Sequence, residues 1–158
     1  MRVRLNVRGI CALRPGVPGV SDRIEVVSVV DRFLEHARVY AFLNGGDDEV
    51  YLASADWMPR NLDKRIELMF PVREPEQRAR VLHALRAMFR DTVKSRWLGA
   101  DGVWTRRVAG EGEETFRVQA VLYEDARKTA GAGRDASGFV IAPEDAGRGR
   151  ATRGRPPR

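Results

Sequence analysis

The chain has 158 residues, 43% of them hydrophobic, which suits one globular domain with a modest core. No apolar run approaches the roughly 18 residues a bilayer span needs, the first residues lack a signal-peptide pattern, and a single cysteine excludes an internal disulfide or a cysteine-cluster metal site. The formal charge of +6 is mostly local: Arg148, Arg150, Arg153, Arg155 and Arg158 supply +5 with no acidic residue among positions 148–158, which leaves +1 for the other 147 residues. A cytosolic address is the expectation from the cysteine usage, with membrane association as the alternative.

In chain order, Arg2–Arg8 alternates charged or polar with apolar side chains, the period of a half-buried strand, and Gly9 interrupts it. Pro15-Gly16 and Pro18-Gly19 mark a turn-rich loop. Ile24–Val30 is rich in β-branched residues and is expected to be a buried strand, with a short helical turn over Asp31–Glu35. Arg38–Phe42 and Val50–Ala53 are predicted strands joined by a hairpin at Asn44–Asp48. A short helical turn over Trp57–Leu62 and a strand over Arg65–Phe70 follow. Pro75 opens a helix, with Glu74 and Glu76 beside its positive end and Val81, Leu82, Leu85, Met88, Phe89 and Val93 at helical spacing. A second amphipathic helix is expected over Arg117–Thr129, after a stretch holding Trp97, Trp104 and a polar loop at Ala109–Glu114. Strands first and helices afterwards predict an α/β sandwich over residues 1–130. Residues 131–158, rich in Gly, Pro and Arg, cannot bury enough apolar surface to offset the entropy of ordering them and are expected to be a disordered tail. Through counterion release that tail suits RNA, polyphosphate or acidic lipid headgroups, or no specific partner.

The chemistry-bearing residues concentrate in three places: Arg8; the block Asp31-Arg-Phe-Leu-Glu-His36-Ala-Arg38; and Ser54-Ala-Asp-Trp-Met-Pro-Arg60-Asn61 with Arg65. His36 can exchange a proton near neutrality or pair with phosphate, Glu35 is placed to orient it, and Arg38 falls on the same strand face. Arginine offers a rigid fork of donors matched to phosphate oxygens, and several can share one polyanion. Each has a plain structural alternative: an ordinary histidine, or a surface ion pair such as Arg65 with Asp63 or Glu67. Ser54, Asp56 and Asn61 follow a strand end, where a small hydroxyl lets phosphate approach backbone N–H groups; the alternative is a helix cap. His83, on the Pro75 helix, is read as half-exposed and structural, and Cys11 as a small core hydrophobe. There is no P-loop, dinucleotide glycine motif, Ser-His-Asp set or metal-ligand spacing.

At Val7-Arg8-Gly-Ile-Cys11-Ala-Leu-Arg-Pro-Gly16, Ser28-Val-Val-Asp-Arg-Phe-Leu-Glu-His36, Asn44-Gly-Gly46, Ser54-Ala-Asp-Trp-Met-Pro-Arg60-Asn61 and Arg65-Ile-Glu67, the chain resembles the C-terminal catalytic domain of the large ATP-dependent polyphosphate kinase family. The resemblance runs from residue 2 to about 98 and more loosely to about 123. It implies the second of two related domains with a phospholipase-D-like mixed sheet flanked by helices. It also implies transfer of the terminal phosphoryl of ATP to polyphosphate through a phosphohistidine. Arg8 and His36 fall on family positions that contact nucleotide phosphates, and His36 is the expected catalytic residue. Arg65, Arg60 and Ser54 join them as phosphate-binding candidates from position alone. The phosphorylated histidine, the Mg²⁺ ligands that accompany ATP, and the adenine-contacting tyrosine fall in the preceding domain, outside this sequence. The expected partners are therefore ATP or ADP, polyphosphate and the missing N-terminal part, in an intact enzyme that is homo-oligomeric. The isolated chain reads as a truncated or separately encoded fragment, inactive by itself. The competing readings are a polyanion-binding module dominated by the tail, and a phosphodiesterase or nuclease half, against which Arg38 stands where a His-X-Lys signature needs lysine.

Overall fold

A computed structural model describes residues 1–132. Seven strands and three helices form a mixed α/β architecture in the order β1 (Val3–Asn6), β2 (Ile24–Val29), β3 (Val39–Phe42), β4 (Glu49–Ala53), α1 (Pro59–Leu62), β5 (Met69–Pro71), α2 (Pro75–Met88), β6 (Ser95–Leu98), β7 (Trp104–Arg106) and α3 (Val118–Ala132). The tail expected over residues 131–158 lies outside the described residues, apart from the last turn of α3.

The first sheet has the strand order β1-β2-β6-β7. β1 and β2 are parallel, with Val3 opposite Ile24 and Asn6 opposite Val27, while β6 and β7 pair antiparallel to their neighbours. The β-branched run of β2 makes it the buried inner strand: Val26, Val27 and Val29 are almost wholly enclosed, on both faces of the pleat. Val29 meets Ala87 of α2 and Val118 of α3, and Met88, Phe116 and Leu122 close around them. α2 begins with Pro at its first turn and carries Glu76 early and Arg86 late, the charge order its dipole favours.

The second sheet is the antiparallel meander β3-β4-β5. Its β3–β4 register pairs Val39 with Leu52 and Phe42 with Glu49, and Asn44–Gly46 turns the chain between them. Gly46 sits at φ 112°, a backbone conformation that only glycine adopts without strain.

Several expectations are corrected. Helices do not simply follow strands, because β6 and β7 lie between α2 and α3. Asp31–Glu35 is an irregular loop rather than a helical turn, since its polar groups bond to α3 instead of to each other. The strand predicted over Arg65–Phe70 is confined to Met69–Pro71. Cys11 is half-buried in irregular chain beyond β1 rather than in the core. A set of large apolar side chains is exposed around the second sheet and α1, namely Trp57, Leu62, Ile66, Leu68, Met69 and Phe70.

Candidate functional site: a guanidinium-centred cluster beside the second sheet

Arg38 enters the site just before β3, and its carbonyl accepts the Ala53 N–H at 3.0 Å, extending the β3–β4 ladder by one step. This pins its backbone beside the chain that leaves β4 toward Ser54 and Asp56. The Arg38 guanidinium donates from Nε to Asp56 Oδ1 at 2.8 Å and lies 2.9 Å from His36 Nε2. The side chain is only 19% exposed, so both contacts are held within a partly covered position. The hydrogen bond from Arg38 lowers the Asp56 pKa below the usual carboxylate range, and Arg60 adds to the effect. The same contact raises the pKa of Arg38, so the pair is doubly ionised at neutral pH.

Glu67 organises the adjoining half of the cluster. It accepts the Ser54 hydroxyl on one oxygen and Asn61 Nδ2, at 2.7 Å, on the other. Those two hydrogen bonds, Ser54 first, lower its pKa, with Arg65 and Arg38 contributing charge. Ser54 also accepts the Leu68 N–H at 3.0 Å, and Asn61 is the buried residue of α1. Ser54 therefore anchors the Glu67–Leu68 segment rather than capping α1, whose entry residue is Met58. Tyr40 and the 77%-exposed Trp57 stack alongside, with ring centroids 6.1 Å apart and the indole N–H donating to the tyrosine oxygen.

The loop that carries His36 is clamped to α3. Asp31 receives two hydrogen bonds from Arg117, at 2.8 and 2.7 Å, and the first effect of that contact is a lowered Asp31 pKa. The Asp31 side chain is 2% exposed, so this fork is sheltered on the carboxylate side. Gln119 accepts the Phe33 N–H and donates to the Phe33 carbonyl and to Glu35. Glu35 is thus spent on α3 and does not orient His36. The start of α3 is itself fixed by the fully buried Asp91, which accepts the Val118 N–H on one oxygen and the N–H groups of Val93, Lys94 and Ser95 on the other.

Among the sequence-predicted residues, His36, Ser54, Arg60 and Arg65 are brought to one cluster around Arg38, Asp56 and Glu67. No hydrogen bond or ion pair joins Arg8 to it among the described residues. Arg8 lies exposed just beyond β1, at the same carboxyl edge of the first sheet from which the Asp31–His36 loop departs after β2. Arg8, Arg60 and Arg65 make no side-chain hydrogen bond or ion pair among the described residues, unlike Arg38, whose guanidinium is engaged. A pocket of about 180 Å³ lies elsewhere, lined by residues 47–51, 71–73 and Arg78, and contains none of the predicted site residues. His83 contacts Asp125 of α3 at 3.0 Å on the surface, in keeping with a structural part. Sequence reasoning passed over Arg38, Asp56 and Glu67 as the centre. The hairpin register held the signal, since it sets residue 38 opposite residue 53 and thus beside Ser54 and Asp56. Arg117 and Gln119 left no such signal.

The family model described as polyphosphate kinase C-terminal domain 2 matches residues 1–119. A polyphosphate kinase of Rhodopirellula baltica is 50% identical over 136 residues, 86% of this chain and 16% of that protein. Polyphosphate kinase 1 of Chlorobaculum tepidum is 51% identical over 105 residues, 66% of this chain and 15% of its own. The crystal structure of the polyphosphate kinase from Porphyromonas gingivalis superposes with a TM-score of 0.77 at 37% identity, covering 83% of this chain and 20% of that one. The chain spans about one sixth of the length of these curated relatives. With the matched segment running through both sheets, the loop of His36 and the Arg38 cluster, the chain belongs to the polyphosphate kinase family and carries its C-terminal domain 2.

Proposed function

We propose that this chain supplies the phosphate-clamping half of a polyphosphate kinase site, in which the terminal phosphoryl of ATP passes to polyphosphate through a phosphohistidine carried outside this chain. The phospholipase-D-like resemblance, the family membership and one geometric observation support the reading. That observation is the meeting of His36 with a set of arginines, Arg38, Arg60 and Arg65, around two ionised carboxylates. Phosphoryl transfer needs positioning and charge stabilisation more than covalent work from the protein, and several guanidinium groups supply both. Arg38 is committed to Asp56, which leaves Arg60, Arg65 and, from the neighbouring sheet edge, Arg8 as the groups available to phosphate oxygens.

Asp56 and Glu67 do not suit a metal. Each is satisfied by Arg38 or by Ser54 and Asn61, and no group of three or more His, Cys, Asp or Glu side chains fit to hold a metal occurs among the described residues. On the family resemblance, the Mg²⁺ that accompanies ATP is assigned ligands outside this chain. The exposed apolar strip at Leu62, Ile66, Leu68, Met69 and Phe70 is the surface to which the remaining kinase domains would pack. Among the described residues no helix is long and apolar enough to cross a membrane.

The test is reconstitution. The purified chain with ATP and Mg²⁺ is expected to make no polyphosphate. Addition of the preceding domains of a relative, produced separately, is expected to give synthesis. His36→Ala in that mixture should lower turnover by about 10²–10³-fold, the usual cost of losing one charge-stabilising donor. Robust synthesis by the chain alone overturns the fragment reading, and unchanged turnover with His36→Ala removes His36 from the site.

A further inference from the structure

We infer that Arg38 and Asp56 are a positioning pair that fixes the tautomer of His36, with Nε2 bare and accepting from Arg38 and Nδ1 carrying the proton toward the phosphate site. The inference rests on the functional reading above for its purpose and on hydrogen-bond chemistry for its content. A guanidinium has five donors and no acceptor, so a histidine nitrogen 2.9 Å from Arg38 must accept. Nε2 then has its lone pair engaged and bears no hydrogen.

Arg38 cannot readily swing away. Its backbone is tied to Ala53 across the hairpin, and its Nε is held by Asp56 at 2.8 Å. Asp56 is in turn placed by its carbonyl, which accepts the Met58 N–H at 2.8 Å where the chain turns into α1. Three short links thus run from the entry of α1 to the imidazole ring, in the way an outer carboxylate commonly orients a working histidine. Nδ1 makes no hydrogen bond among the described residues, and the ring is exposed, so the N–H on that side is open to a phosphate oxygen. His36 then works as a hydrogen-bond donor to the phosphoryl group. It is not set up to take a proton through Nε2, because that position already faces a donor.

The chain contains only two histidines, so imidazole ¹⁵N spectra of the full chain are simple to assign, with a His83→Gln variant identifying the second ring. The measurement is made at about pH 8.5, two units above the ordinary imidazole value of about 6.5. The expected result is a bare-nitrogen shift at His36 Nε2 and an N–H shift at Nδ1. Arg38→Met should return His36 to the Nε2–H form that free histidine prefers, while His83 is unmoved; Arg38→Lys, which still donates, should restore the native pattern. Asp56→Ala, which loosens Arg38 without removing it, should give an intermediate mixture and serves if Arg38→Met does not fold. A protonated Nε2 in the unaltered chain overturns the inference, as does an unchanged His36 spectrum in both Arg38→Met and Asp56→Ala. Its failure is separable from that of the functional reading: polyphosphate added to the same sample should shift the His36 Nδ1 resonance, and absence of that shift with the tautomer intact would sink the phosphate role alone.

Discussion

Asp91→Asn should be strongly destabilising, and its cost follows from the four backbone N–H groups that the carboxylate accepts. One carboxylate oxygen accepts the Val93 and Ser95 N–H groups at 2.9 and 2.8 Å together with that of Lys94, and the other accepts the Val118 N–H at 2.8 Å. Residue 91 is fully enclosed, so no water can stand in. An asparagine can turn its oxygen to the three clustered donors, but its amide NH₂ then faces the Val118 N–H, donor against donor. The Val118 N–H loses its acceptor and the new amide NH₂ has none, at about 1–3 kcal/mol for each. Relief from burying a charge offsets part of that, which leaves a net loss of about 3 kcal/mol against a total stability of about 5–15 kcal/mol. With a urea slope of about 1.5 kcal/mol/M for a domain of this size, the unfolding midpoint should fall by about 2 M. Because Val118 sits between Arg117 and Gln119, the damage should reach the His36 loop: hydrogen exchange at the Phe33 amide, which bonds to Gln119, should accelerate. A midpoint shift under about 0.5 M, or a Phe33 amide unaffected in a destabilised variant, would refute the proposed chain from Asp91 through α3 to the loop.

Further outcomes follow from the same contacts. Asp31, Asp56 and Glu67 all have lowered pKa values, so what their partners contribute is complete above the ordinary carboxylate value and is lost as pH falls through the lower native values. Acid titration followed by Trp57 fluorescence should show the cluster disassembling below about pH 4, and a cluster that loosens instead on raising the pH from 5 to 8 would contradict it. His83→Gln removes a surface contact to Asp125 and should change stability by less than about 0.5 kcal/mol in a denaturant melt, whereas a larger effect would give that ring an unsuspected part. Deleting residues 133–158 should weaken polyphosphate affinity and flatten its salt dependence without abolishing binding, as read by titration at two salt concentrations. Complete loss would favour the tail-dominated module.

What could be read from the sequence depended on how local its cause was. The β2 strand was legible because Ile24, Val26, Val27 and Val29 carry the β signal in their own side chains, and α2 because Pro75 and the apolar spacing mark it. The Asp31–Glu35 loop was misread as helical because nothing in Arg-Phe-Leu-Glu breaks a helix. Its conformation is decided by Gln119, 86 residues away from Phe33. β6 was missed for a related reason: Ser95 is buried by Asp91 and not by hydrophobicity, so Ser-Arg-Trp-Leu shows little strand pattern. In the candidate site, residue types alone singled out His36, Arg60, Arg65 and Ser54, which the fold gathers around Arg38, Asp56 and Glu67. The roles within the cluster were hidden, because Arg38 meets Asp56 and Ser54 meets Glu67 only through hairpin register and the return of β5.

The most direct measurement is a titration of the full chain with polyphosphate, followed at the two histidines. A saturable shift of His36 with His83 unmoved, reduced by Arg8→Ala and by Arg60→Ala, is the result this account predicts. Binding that leaves His36 silent and is indifferent to both substitutions would contradict it.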